Sequence, residues 1–244
     1  LYFHNDPLTM RGSKTIVERI FLIKNCSKII FNSQWSKKRF LNNIQNRFYN
    51  SEKLIIIYQS ALKQKINFST KKKWITFVGK LNRAKGYDVF GKAVVKILTK
   101  YPKWKAFVIG DERRESMLFI HKNLKLLGFL KHNKVLETFK KTSIAVVCSR
   151  WDEPLGRTSL EASSNGCAVI ISNRGGLPET ITNGIILKEL DENNLFNEIE
   201  FLIKNNIKRK ELQKLSNKNF IHTNKKSSSE VDFYRNELLI KKNF

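Results

Sequence analysis

Three segments of this 244-residue chain carry side chains able to grip a phosphate or a sugar. The first is Gly79-Lys80-Leu81-Asn82-Arg83-Ala84-Lys85-Gly86, where cations follow an apolar run and glycines at both ends let the backbone turn sharply. Lys80 and Lys85 could converge on a diphosphate, each charge-assisted contact contributing about 1.5–3 kcal/mol. Taken alone, the segment reads equally as a solvated basic loop. The second runs from Ser149 to Ala162. Pro154 and Gly156 keep a helix from starting before residue 156, so the N–H groups of Arg157, Thr158 and Ser159 are free to face an anion. The helix dipole adds only ~0.3–1 kcal/mol and assists the lysines rather than replacing them. Arg157 meets the positive end of that dipole, an arrangement an anion between the two would favour. Glu153 and Glu161 bracket the helix start, one within reach of a sugar and the other of a ribose hydroxyl. The plain alternatives are a carboxylate that fixes the turn and a surface helix residue. The third segment, Ser172 to Glu179, has Gly175-Gly176 for close backbone approach and Pro178 near a helix start. As a simple turn it would need no function.

All three segments follow strand-like runs and precede helix-like ones. Apolar patterning predicts strands at 74–78, 105–109, 124–127, 144–148, 168–171 and 185–187. Helices are predicted at 87–101, 115–123 and 135–141, from Arg157, and from Leu177 to Gly184. Strands separated by helices of this length imply an α/β fold with a parallel sheet covered on both faces, a Rossmann-like half. Ligands bind such sheets at the carboxyl ends of the strands, and all three segments lie on that edge. Upstream, the spacing predicts a helix over 15–23, a strand over 27–31, a helix over 36–44 capped by Ser33, and a strand over 53–58. The polar stretch 59–73 reads as a linker or long loop. After a polar patch at 223–229, an amphipathic segment over 230–241 places Val231, Tyr234 and Leu238 on one stripe.

The formal net charge of +25 suits nucleic acid, anionic headgroups and phosphorylated substrates alike, and equally a plain solvated basic surface. Exposed charges beyond roughly 8 Å are screened at physiological salt. The apolar runs at 145–148 and 168–171 fall far short of the ~20 residues of a membrane span, so no crossing is expected. Cys26, Cys148 and Cys167 lack metal-ligand or redox spacing and are expected as reduced thiols in a cytoplasm. The start, Leu1-Tyr2-Phe3-His4, has no initiator Met and reads as the end of a buried strand, so the chain is expected to begin inside a domain.

From about Phe77 to Leu187 the chain resembles the donor domain of glycosyltransferase family 4, retaining enzymes of the GT-B fold. The motifs that carry the resemblance are Gly79-Lys80 with Lys85-Gly86, the E-x7-E pair Glu153 and Glu161, and Gly175-Gly176-Leu177-Pro178-Glu179. Val108-Ile109-Gly110-Asp111 and Leu127-Gly128-Phe129 look like the family's second and third strand ends. The resemblance implies one complete Rossmann-like parallel-sheet domain plus the C-terminal part of a second. The expected organisation is a partial acceptor-side domain at 1–60, the donor domain at 61–222, and a helix at 223–244 crossing back. The diphosphate would lie on Gly79, Lys80, Lys85 and the backbone of Gly156, Arg157, Thr158 and Ser159. Glu161 would bind the ribose, Phe129 would lie near the base, and Gly175 and Gly176 near the donor sugar. Glu153 and His4 are the implied catalytic residues, His4 standing at an acceptor-domain strand end; a capping or core histidine is the other reading. Lys80 stands where the family carries Arg, and Arg83 or Arg157 is expected to compensate.

No metal and no cofactor are implied, the nucleoside-diphosphate sugar being a substrate. The expected acceptor is a hydroxyl of lipopolysaccharide or another envelope glycan or glycolipid, with a cytoplasmic location and peripheral contact with the anionic inner membrane. Because early acceptor-domain strands are missing, the isolated chain is expected to bind donor nucleotide yet transfer sugar poorly. The competing readings are another GT-B enzyme, an epimerase or phosphorylase, and a basic nucleic-acid-binding protein. The last lacks any zinc-finger, RRM or helix-turn-helix signature, so no nucleic acid partner is expected.

Overall fold

A computed structural model describes residues 1–240. Its first unit comprises β1 (Tyr2–Phe3), α1 (Ile16–Asn25), β2 (Ile29–Phe31), α2 (Gln34–Leu41) and β3 (Leu54–Ile56), the strands forming a parallel sheet in the order β1-β2-β3. Phe3, Phe31 and Phe40 are buried there with ring centroids 5.1–5.6 Å apart. α1 starts with a capping box, in which Thr15 Oγ1 accepts from Glu18 N and the Glu18 carboxylate accepts from Thr15 N. α2 is capped by Ser33, as its sequence predicts.

The second unit contains β4 (Lys72–Val78), α3 (Tyr87–Lys100), β5 (Lys105–Ile109), β6 (Leu124–Leu126), α4 (His132–Lys141), β7 (Thr142–Val147), α5 (Arg157–Ser164), β8 (Ala168–Ser172) and β9 (Ile185–Leu187), followed by α6 (Glu192–Lys204) and α7 (Asn206–Lys218). All six strands are parallel, in the order β6-β5-β4-β7-β8-β9. The order reverses between β4 and β7, which is the topological switch point of a doubly wound sheet. Ile75, Phe77 and Val146 pack with Val94 of α3 and Leu195 and Ile199 of α6 on one face. Ala145, Val169 and Ile171 pack with Val135 and Phe139 of α4 and Ala162 of α5 on the other. With both faces covered, the central strands read as continuous apolar runs rather than alternating ones.

Two predicted helices are corrected. Residues 115–123 are not helical: Met117 and Phe119 face the core, while Leu118 and Ile120 are 72% and 78% exposed, the period of two of an extended chain. Phe119 meets Tyr87 edge-on at 5.4 Å and fills the notch above Gly91, where a Cβ would lie 2.1 Å from its ring. The predicted helix from Leu177 to Gly184 is a single 3-10 turn, Leu177–Thr180. Thr180 Oγ1 turns back onto Leu177 O at 2.6 Å, and Ile181 is already extended.

The stretch 59–73 is pinned rather than loose. Lys71 Nζ, largely buried, donates to the carbonyls of Phe139, Thr142 and Asn165 at 2.7–3.0 Å. α8 (Asn224–Ile240) lies against the first unit: Ser227 Oγ donates to Tyr58 O at 2.8 Å, and Lys28 pairs with Glu237 at 3.3 Å beside the ring of Tyr234. The end of the predicted amphipathic segment, Lys241, lies outside the described residues. No helix among the described residues is long and apolar enough to cross a membrane.

Candidate active site

At the switch point the ends of β4 and β7 enclose a cavity of about 240 Å³. Its walls are Phe77 and Val78 of β4 with Gly79 just beyond, Val147 of β7 with Ser149 two residues on, and the side chains or backbone of Lys85, Glu153, Gly156, Arg157 and Thr158.

The turn after β4 is shaped by its own polar residues. Asn82 Oδ1 accepts from Lys85 N at 3.0 Å, and Asn82 Nδ2 donates to Glu112 Oε2 at 2.9 Å. Arg114 and Asn82 together hold the Glu112 carboxyl down at about 2. Gly86 is left-handed, with φ +72°, and a Cβ there would sit 1.8 Å from Cys148 O, so only glycine lets this turn close on the end of β7. Arg150 N and Trp151 N then donate to Ala84 O at 2.9 and 3.0 Å, and the Arg150 guanidinium holds Asp88 through two bonds of 2.5 and 2.7 Å. Burial beside this turn pushes the Cys148 thiol up to about 12. Lys85 is thereby directed into the cavity, where its ammonium pairs with the Glu153 carboxylate. Lys80 stays on the exposed part of the turn and is not among the cavity walls.

Glu153 is fixed through its backbone. Gly176 N donates to Glu153 O at 2.7 Å. At Gly175, with φ +58°, a Cβ would lie 2.2 Å from the same oxygen. Gly175 and Gly176 therefore clamp the loop that carries Glu153 and do not line the cavity themselves. Gly156, with φ +105°, delivers the chain into α5, whose first turn carries no side-chain cap. Arg157 and Thr158 reach the cavity. Ser159 is buried beside it, its hydroxyl bonding Gly156 O and Thr180 Oγ1 at 2.7 and 2.6 Å. An uncapped helix start beside two cations is suited to an anion, because unpaired N–H groups and the helix dipole point the same way.

Glu161 is 9% exposed and sits behind this wall; its Oε1 accepts from His132 Nε2 at 3.0 Å and Arg157 Nη2 at 3.3 Å. Phe129 is 78% exposed and lies outside the cavity. His4 follows β1, stacked on Tyr2 at 4.1 Å with its Nδ1 3.0 Å from Gln59 Nε2. It lines a larger cavity of about 660 Å³ with Tyr58, Asn224 and Arg157. Arg157 borders both cavities, and so joins the two halves of the predicted site. Of the two arginines expected to compensate for Lys80, Arg157 stands at the cavity and Arg83 does not. Sequence reasoning missed His132 altogether, since nothing in its surroundings marks a partner 29 residues further on. Among the described residues no three His, Cys, Asp or Glu side chains are gathered as a metal centre would need.

The strand reversal and the polar crevice at its switch point define the class, a doubly wound α/β protein whose site lies at the carboxyl edge of its sheet. Residues 59–219 match the family model Glycosyl transferases group 1, and the chain belongs to that family. It is 29% identical over 162 residues to spore coat protein SA of Bacillus subtilis (strain 168), covering 59% of this chain and 43% of that protein. It is 25% identical over 136 residues to the lipopolysaccharide core biosynthesis mannosyltransferase LpsB of Rhizobium meliloti (strain 1021), covering 52% and 38%. The chain thus spans less than half the length of these relatives. Among solved structures, Anabaena Alr3699/HepE in complex with UDP and glucose superposes with a TM-score of 0.77 at 18% identity, over 97% of this chain and 71% of that one. A glycosyltransferase from Rickettsia africae ESF-5 gives 0.76 at 17% identity, over 97% and 70%. These likenesses establish the GT-B architecture.

Proposed function

We propose that the chain carries the donor half of a retaining glycosyltransferase, moving a sugar from a nucleoside-diphosphate sugar to a hydroxyl of an envelope glycan or glycolipid. The observation that carries this reading is the single cavity at the switch point that gathers Lys85, Arg157, the uncapped start of α5 and Glu153. In this reading Lys85, Arg157 and the N–H groups from Gly156 to Ser159 hold the diphosphate, with Lys80 reaching in from the turn. Glu161 accepts from the ribose, the base lies toward Phe129, and Glu153 accepts from the transferred sugar. Gly175 and Gly176 keep Glu153 in place, and His4 faces the donor sugar from the first unit. Residues 1–60, 61–222 and 223–244 are proposed as the acceptor-side part, the donor domain and the crossing helix.

Lys85 is paired with Glu153. A diphosphate entering the cavity competes for that lysine, and Glu153 is released to a sugar hydroxyl as the donor arrives. The bond from the anomeric carbon to the leaving phosphate oxygen breaks while the acceptor oxygen bonds to the same face of that carbon. The acceptor proton passes to the departing phosphate. Charge developing on that phosphate is stabilised by cations and N–H groups already aimed at it, so no protein nucleophile and no metal is required. The UDP held by the HepE structures makes UDP the first donor nucleotide to test, and the LpsB relative supports an envelope acceptor. In this reading the protein is cytoplasmic, and its net charge of +25 would suit loose contact with an anionic bilayer.

Calorimetric titration with UDP, GDP, ADP and a random single-stranded RNA, at ~0.15 M salt to suppress diffuse charge effects, tests the reading. Selective binding of one nucleoside diphosphate supports it and names the base. Tight RNA binding without nucleotide preference would replace it with the nucleic-acid reading.

A further inference from the structure

Glu161 sits on α5 beneath the crevice, and a carboxylate on a long side chain needs an anchor if it is to present one oxygen in a fixed direction. Both of its side-chain partners, His132 Nε2 at 3.0 Å and Arg157 Nη2 at 3.3 Å, fall on Oε1. Oε2 has no hydrogen-bond partner among the described residues, yet it is not sealed from solvent. The two anchors differ in kind. The Arg157 side chain is 59% exposed and lines the anion-accepting cavity, so a bound diphosphate draws its guanidinium away from Glu161. His132 is the first residue of α4 and is not among the walls of that cavity. Its ring is as open to solvent as the Arg157 side chain, at 61% exposed, but the helix that carries it is fixed, because Val135 and Phe139 of α4 share one buried core with Ala162 of α5.

We infer that His132 is a positioning residue for the donor nucleotide: it fixes Glu161 through Oε1 so that Oε2 accepts from the ribose hydroxyls, and it keeps that hold when Arg157 turns to the diphosphate. The inference rests on reading Glu161 as the ribose contact. His132 itself touches no ligand in this scheme. The group that its ring meets on α5 is Glu161.

The test titrates UDP and its 2′,3′-dideoxy analogue into the native chain and into His132→Ala, His132→Gln and Glu161→Ala. A hydrogen bond to a charged group discriminates by roughly tenfold or more, so the native chain prefers UDP by that factor. Glu161→Ala abolishes the preference. His132→Ala reduces it to within about threefold, because a loosely held carboxylate loses most of that charged hydrogen bond. His132→Gln, which retains an N–H near the position of Nε2, restores most of it. A purely structural role would lower the affinity for both nucleotides equally and leave the preference intact. If His132→Ala keeps the native preference while Glu161→Ala loses it, the inference is overturned and the ribose reading stands. If Glu161→Ala also keeps it, or UDP does not bind the native chain, the ribose reading fails and takes the inference with it.

Discussion

Across 144 residues of sequence, the backbone N–H of Trp35 donates to Oε1 of Glu179 at 2.9 Å. Gln34 N and Tyr58 OH donate to the other carboxylate oxygen at 2.7 and 3.0 Å, and Glu179 O accepts from His222 Nε2 at 3.0 Å. One side chain of the second unit therefore caps the first turn of α2 and gathers the strand end after β3. Beside it, Ser33 Oγ donates to Pro154 O at 2.5 Å. Pro154 follows Glu153, so the start of α2 braces the loop that carries the candidate catalytic carboxylate.

Removing that clasp should loosen the joint between the units. Glu179→Ala leaves two α2 N–H groups and the Tyr58 hydroxyl without their acceptor, and a loss of about 1–3 kcal/mol in unfolding free energy is expected. Glu179→Gln, which keeps one acceptor oxygen, should lose less. Urea denaturation of both variants checks the order.

Gly175→Ala tests the clamp on Glu153. The new Cβ would lie 2.2 Å from Glu153 O at a φ of +58°, so the loop has to move. Since the turn that carries Lys85 is shaped by Asn82 and Gly86 rather than by Gly175, turnover of UDP-sugar should fall at least tenfold while UDP affinity stays within about threefold. Equal losses in both would show that the loop does not act on Glu153 alone.

Acid should weaken the same joint through His222. Burial lowers its pKa, so in the folded chain the ring stays neutral while donating to Glu179 O. The unfolded chain takes up a proton near the ordinary histidine value of about 6.5, which favours unfolding as the pH falls below it. The contribution is therefore present above that value and lost on acidification through it. Thermal midpoints measured at pH 7.5 and pH 5.5 should differ more for the native chain than for His222→Gln.

A leaving group neutralised by Lys85, Arg157 and helix N–H groups makes a further expectation. Turnover of UDP-sugar should change by less than about twofold when divalent ions are chelated, since the charge stabilisation comes from the protein itself. A loss of activity that magnesium or manganese restores would contradict it.

Much of this arrangement was legible in the chain. Runs such as Ala168 to Ile171 and Ala145 to Cys148 can be little else than fully buried strands in a chain with helices between them, and Pro154 and Gly156 fix where α5 begins. Residues 117–120 were not legible. Met117-Leu118-Phe119-Ile120 is apolar throughout, so periodicity cannot choose between helix and strand, and the choice falls to a notch at Gly91 on a different element. The candidate site divides in the same way. Residue types announced Lys85, Glu153 and Glu161, but not that Lys85 and Glu153 are partners 68 residues apart. Nor did they show that His132 holds Glu161, or that the glycine pair acts through the backbone of Glu153. Such relations are made by the sheet order, which brings distant strand ends to one edge.

The most direct test of the donor crevice is a crystal structure of the chain with UDP bound. The account predicts the diphosphate between Lys85 Nζ and the first N–H groups of α5, the Lys85–Glu153 pair broken, and Glu161 Oε2 on the ribose. UDP bound elsewhere with the Lys85–Glu153 pair intact would contradict it.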